Sequence, residues 1–151
     1  PPVSPHLAAA LAGVSVDPKQ LVESLLDAGN SCERLIVEGA GGWRVPIDGA
    51  FGFRELAVEL GLPVVVAAPP ALGTINHCLL TLESIRAAGL EPRCVVFGPW
   101  PDAPERLQTD SLERVSQLGE VDVATLPEID HRDRAAFAEA GSRLPIDRIF
   151  D

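Results

Sequence analysis

The run Val64-Val65-Val66-Ala67-Ala68 restricts the fold of this chain more than any other stretch. Five consecutive apolar residues leave neither alternating face polar, which suits a strand covered on both sides in a parallel sheet. The run is therefore expected to be a central strand. Around it, strand and helix signals alternate. Asp17 reads as an N-cap with Pro18 at the first helical position, and Leu21, Val22, Leu25 and Leu26 share a face before Gly29. A strand is expected over Arg34 to Glu38, a loop over Pro46 to Gly52, and a short helix over Phe53 to Leu60. Gly73 and Thr74 open a helix that runs through Leu79, Leu82, Ile85 and Arg86 to Gly89. Cys94 to Phe97 reads as the third strand. Leu112, Val115 and Leu118 share a face of a helix closed by Gly119, Val121 to Leu126 reads as the fourth strand, and a last helix covers Arg132 to Ala140. Pro1 to Val16 reads as irregular, with room for a helix over Pro5 to Ala12, and the tail from Ser142 carries no clear pattern.

This alternation predicts an α/β fold, a parallel sheet with flanking helices and right-handed crossovers, over one domain of residues 1–151. Four strands are few for a doubly wound sheet. The chain has no methionine and opens Pro1-Pro2-Val3, so the expectation is the C-terminal part of a larger sheet whose N-terminal part is missing. At 46% hydrophobic over 151 residues it can bury a core. Its apolar runs are too short to span a membrane and no basic-then-apolar leader opens it, so neither membrane insertion nor secretion is expected. A formal charge of −10 repels nucleic-acid phosphates. Cys32, Cys78 and Cys94 lack metal-type spacing and lie in or beside apolar stretches, which fits reduced packing residues of a cytoplasmic protein.

Two loops carry candidate chemistry. In Arg34-Leu35-Ile36-Val37-Glu38-Gly39-Ala40-Gly41-Gly42-Trp43 a strand runs into a carboxylate and three glycines. Bare backbone N–H groups there can approach an anion, and Glu38 can hold Mg²⁺ directly or through water. A solvated acid at an ordinary turn is the bland alternative. In Pro69-Pro70-Ala71-Leu72-Gly73-Thr74-Ile75-Asn76-His77 the first turn of a helix offers unpaired N–H groups to a carboxylate or phosphate, with the Asn76 amide for direction. Here the bland alternative is a Thr74 cap and a solvated Asn76. His77, beside Cys78 in an apolar helix, reads as structural. The single lysine, Lys19, has no phosphate-loop glycines around it.

Val37-Glu38-Gly39-Ala40-Gly41-Gly42-Trp43 followed by Leu72-Gly73-Thr74-Ile75-Asn76-His77, with Ser4-Pro5-His6 ahead of both, resembles the dethiobiotin synthetase family. The resemblance spans about Pro1 to Pro127 and includes the Ala88-Gly89-Leu90 helix ending. It implies a P-loop NTPase-like, Rossmann-like three-layer fold. It also implies a homodimeric ligase of biotin biosynthesis that closes a cyclic urea on 7,8-diaminopelargonate with CO₂, ATP and Mg²⁺. The route is a carbamate, its phosphorylation, and displacement of phosphate by the second amine. By the same resemblance Glu38 is the metal-binding glutamate and Gly41 the glycine whose backbone approaches the carbamate. Gly73, Thr74 and Asn76 match the segment holding the substrate carboxylate, which in the family comes from the second subunit. Gly98, Trp100 and Pro127 fall on the nucleotide side.

Three departures accompany the resemblance. The family's phosphate loop, its lysine and its upstream metal and substrate groups precede the position of Pro1. Gly98 stands where many members carry an asparagine that reads adenine, which leaves base preference open, and Trp100 either stacks on a base or plugs the loop. Ala71 replaces the usual lysine before Leu-Gly. The chain alone is accordingly expected to be inactive. A non-catalytic ligand-binding or dimerisation module derived from the same family is the alternative function, and a P-loop amidoligase or partitioning ATPase fits the Glu38 and Ile75-Asn76-His77 pairing less well.

Overall fold

Capping chemistry sets the helices of the first sixty residues. Helix α1 (Pro5–Ala12) starts with proline at its first position and stops where Gly13 turns left-handed at φ +67°. Asp17 accepts a hydrogen bond from the Lys19 N–H at 2.9 Å and so caps α2 (Pro18–Asn30). The computed structural model describes residues 3–130 and 132–150, so Pro1 and Pro2 of the segment expected to be irregular lie outside the described residues. Contacts divide the chain into two units, Pro1–Leu62 and Pro63–Asp151.

In the first unit, two expectations are corrected. Arg34 to Glu38 is irregular chain without a ladder, not a strand, and Ile36 is 79% exposed. Apolar, β-prone side chains alone do not make a strand; the backbone needs a neighbouring strand to pair with, and among the described residues no strand ladder includes Arg34 to Glu38. The expected loop at Pro46 to Gly52 instead holds an antiparallel hairpin, β1 (Pro46–Asp48) with β2 (Phe51–Gly52), turned at Gly49 with φ +53°. Helix α3 (Phe53–Leu60) follows directly, its N-terminus held by the Gly52 N–H donating to Glu55 Oε2 at 3.0 Å. Helix α1 packs on β1 and α2 on α3. Ile47 and Leu56 are the buried apolar residues here.

The second unit is the α/β part. Strands β3 (Val64–Ala68), β4 (Pro92–Trp100) and β5 (Asp122–Pro127) pair in parallel in that order. Helix α4 (Thr74–Ala87) joins the first two and α5 (Arg106–Gly119) the last two. Helices α6 (Arg134–Gly141) and α7 (Ile146–Phe150) end the chain, the latter in the tail where no pattern was expected. Of these three strands β4 is the middle one. Among the described residues β3 is hydrogen-bonded on one side only and Val65 is 41% exposed, whereas Cys94 to Phe97 of β4 are buried. Within this chain, the unbroken apolar run pairs with β4 on one side.

Ala68, Cys78, Leu82, Val95, Phe97 and Val115 form the core of this unit, with Ile75, Trp100 and Leu112 packed against it. Helices α4 and α5 approach closely: a Cβ on Gly119 would lie 2.7 Å from Leu82 Cδ1. After that glycine, Glu120 takes the left-handed conformation at φ +46°, and the Arg86 guanidinium donates to the carbonyls of both Gly119 and Glu120. The last carbonyls of α5 are thereby satisfied by a residue of α4.

Candidate functional site

Glu38 and Gly41 belong to the first unit. Glu38 is exposed, on irregular chain, directly before the glycines. Those glycines have local reasons of their own. A Cβ on Gly39 would sit 3.0 Å from the Phe53 ring, so the ring lies flush against the backbone there. Gly41 and Gly42 hold φ of +98° and +130°, which side-chain-bearing residues rarely adopt, and a Cβ on Gly41 would come within 3.2 Å of Val45 Cγ2. The Val45 N–H donates to the Gly42 carbonyl at 3.1 Å and closes the turn.

The other candidates belong to the second unit and share one end of its sheet. In a parallel sheet all strands end on the same side, so the turn after β3 and the ends of β4 and β5 are neighbours there. Gly73, left-handed at φ +93°, is the N-cap of α4. The Thr74 N–H bonds the Ala71 carbonyl and the His77 N–H bonds the Gly73 carbonyl, both at 3.1 Å, which leaves Ile75 and Asn76 to present the first-turn N–H groups. Thr74 itself faces inward: it is buried, with Oγ1 3.7 Å from Cys78 Sγ. The Asn76 side chain is exposed. So is His77, which corrects its reading as a structural histidine; its place in the first turn of α4 puts it at the solvent end of the helix rather than over the core.

Gly98, Trp100 and Pro127 are brought together. Phe97 pairs with Thr125, then Trp100 with Pro127, so β4 carries one more residue than β5 across this step. The Gly98–Pro99 peptide is cis. Trp100 meets Phe97 edge to face with ring centroids 6.2 Å apart and packs against the core, so its ring is anchored at the strand end.

Burial raises the Cys78 thiol, with the Thr74 contact acting in the opposite sense. Burial first and the nearby Asp122 charge second push the Cys94 thiol up to about 11. Both stay protonated packing groups at neutral pH. Cys32 departs from expectation: it is exposed at the end of α2, its Sγ 3.2 Å from the Ala28 carbonyl, because the segment it precedes forms no strand to cover it. Among the described residues no three His, Cys, Asp or Glu side chains cluster as a metal cage, and no helix is long and apolar enough to cross a membrane.

A family described as "AAA domain" matches residues 1–135. Three curated relatives carry the name ATP-dependent dethiobiotin synthetase BioD. That of Ralstonia nicotianae is 47% identical over 89 residues, covering 59% of this chain and 39% of the relative. That of Lysinibacillus sphaericus is 36% identical over 144 residues, 93% of this chain and 61% of the relative. That of Saccharopolyspora erythraea is 39% identical over 142 residues, 91% of this chain and 62% of the relative. The chain belongs to the AAA domain family and is similar over most of its length to proteins named dethiobiotin synthetase. Its parallel sheet with flanking helices is the P-loop NTPase-like α/β fold of that family. The chain spans between 39% and 62% of the length of these three relatives.

Sequence reasoning passed over two residues that shape the Glu38 loop of this family member, Phe53 and Val45. The available signal was an aromatic side chain at the start of a helix shortly after a run of glycines, a pairing that one sequence does not tie together without coordinates.

Proposed function

We propose that the chain is part of an ATP-dependent dethiobiotin synthetase, a cytoplasmic, homodimeric ligase of biotin biosynthesis that makes the cyclic urea of dethiobiotin from 7,8-diaminopelargonate and CO₂. The likeness to relatives of that name over 91–93% of the chain carries the reading. The geometry agrees with it. The Ile75 and Asn76 N–H groups, at the positive end of α4, suit the substrate carboxylate, and the exposed Asn76 amide sets its direction. In this arrangement Gly73 supplies the turn, and Thr74 anchors it to the core through its buried side chain.

Glu38 faces solvent, a position that suits Mg²⁺: that ion keeps several waters and takes one or two carboxylates together with substrate phosphates. When bound, Mg²⁺ would neutralise charge on the transferring phosphate. Gly41, bare and in a conformation closed to other residues, lets the backbone approach the carbamate. Gly98, Trp100 and Pro127, gathered at the ends of β4 and β5, form the nucleotide side, with the anchored Trp100 ring as its wall.

The described chain has no Gly-x-x-x-x-Gly-Lys-Ser/Thr segment to cradle triphosphate. Mass spectrometry of reactions containing diaminopelargonate, bicarbonate, ATP and Mg²⁺ should therefore detect dethiobiotin with the full-length protein and none with the 151-residue chain alone. No product from the full-length protein would favour the non-catalytic alternative; turnover by the 151-residue chain would remove the need for a phosphate loop.

A further inference from the structure

Phe53 and Val45 sit where they fix the shape of the Glu38 loop without belonging to it. The Phe53 ring meets the Gly39 backbone so closely that a Cβ there would lie 3.0 Å from two ring atoms. Val45 packs under Gly41, and its N–H closes the turn on the Gly42 carbonyl at 3.1 Å. The two residues are tied to each other and to a rigid element. The Phe53 N–H donates to the Val45 carbonyl at 3.3 Å, and that same carbonyl would lie 2.7 Å from a Cβ on Gly52, so no side chain fits between them. Gly52 is in turn held by Glu55 at the head of α3. Glu38 itself is exposed and its segment has no strand ladder. The contacts under Gly39 and Gly41 thus constrain the turn that follows its carboxylate.

We propose that Phe53, acting with Val45, is a positioning residue: its ring braces the Gly39–Gly42 turn against the head of α3 and thereby sets the direction of the Glu38 carboxylate. The role of that carboxylate toward Mg²⁺ rests on the function proposed above; the brace itself rests on packing within the first unit. Such a brace matters because a site loses much of its rate when a charged group is misplaced by about 1 Å. A structural filler would behave differently: its removal lowers stability and leaves the metal dependence of the folded fraction unchanged.

The test uses the full-length protein with Phe53→Ala, Phe53→Leu and Glu38→Gln, read by amide hydrogen exchange and by the Mg²⁺ dependence of turnover. Phe53→Ala should speed exchange of the Val45 N–H, which donates to the Gly42 carbonyl and closes the turn, by about tenfold or more while β3 to β5 are unchanged, since local opening is governed by local packing. It should also raise the Mg²⁺ concentration at half-maximal rate several-fold with little change in the KM for nucleotide, and Phe53→Leu should recover most of both effects. Unchanged exchange of the Val45 N–H in a folded Phe53→Ala protein would overturn the brace. Faster exchange with an unmoved Mg²⁺ dependence would overturn the link from Phe53 to the carboxylate, provided Glu38→Gln shifts that dependence. If Glu38→Gln shifts nothing either, the metal reading of Glu38 has failed while the exchange result still decides the brace.

Discussion

The Gly39–Gly42 loop and the Gly73 turn look alike in sequence, each a glycine-bearing segment after an apolar run, yet they are built by different means. The first is shaped by side chains from elsewhere in its unit, Phe53 under Gly39 and Val45 under Gly41. The second is shaped by its own backbone: Gly73 in the left-handed region, two carbonyl bonds from Ala71 and Gly73, and Thr74 sunk into the core against Cys78. A Cβ on Gly73 would meet only His77 Cε1, at an ordinary 3.6 Å. Glycine is thus required for space at Gly39 and for conformation at Gly73, while Gly41 combines both requirements. A loop held by distant side chains can be displaced by changing them; a loop that is the first turn of a core helix cannot.

The largest expected effect separates the chemistry of the two loops. Glu38→Gln in the full-length protein keeps the shape of an exposed side chain and removes its charge, so the proposed role predicts a fall in Mg²⁺-dependent turnover of roughly a hundredfold or more at an unchanged melting temperature. Equal losses of activity and melting temperature would instead make Glu38 structural. A second experiment sharpens the difference in construction. Gly39→Ala pushes a methyl into the Phe53 ring and should cost about 1–3 kcal/mol, most of it recovered in a Phe53→Leu background. Gly73→Ala should cost ~1–2 kcal/mol from backbone strain, with no recovery from His77→Ala. Denaturant unfolding of the two double-mutant cycles checks this; coupling at Gly73 as strong as at Gly39 would erase the distinction.

The smallest effect compares the two units. Cys32 is exposed, while Cys78 and Cys94 are buried and held protonated, so one of three thiols should react promptly with a chromogenic disulfide near pH 8 and the other two only on unfolding. Prompt reaction of two or three would mean that the core of the second unit opens far more readily than its packing indicates.

The difference between the loops also marks what the sequence made legible. Helix boundaries were readable because their causes are local: the Asp17 cap, Pro18 at the first position, the glycines after α3 and α4. The β4 and β5 strands and the parallel α/β class followed from alternation. Whatever depends on a partner was not readable. Arg34 to Glu38 carries β-prone side chains but forms no ladder among the described residues. Among the candidate residues, Gly73 and Asn76 occupy the helix start expected of them, and Gly98, Trp100 and Pro127 share a strand end. The inward direction of Thr74 and the Phe53 contact at Gly39 depend on tertiary packing, which spacing does not encode.

The most direct test of the functional reading is calorimetric titration of the full-length protein carrying Asn76→Ala with diaminopelargonate and, separately, with nucleotide. A hydrogen bond to a charged carboxylate is worth roughly 1.5–3 kcal/mol, so diaminopelargonate affinity should fall about tenfold to a hundredfold. Nucleotide affinity should barely move, because the function proposed above puts the nucleotide at the ends of β4 and β5 rather than at the turn before α4. Lost nucleotide binding with intact diaminopelargonate binding would contradict the account and move the first turn of α4 to the nucleotide side of the site.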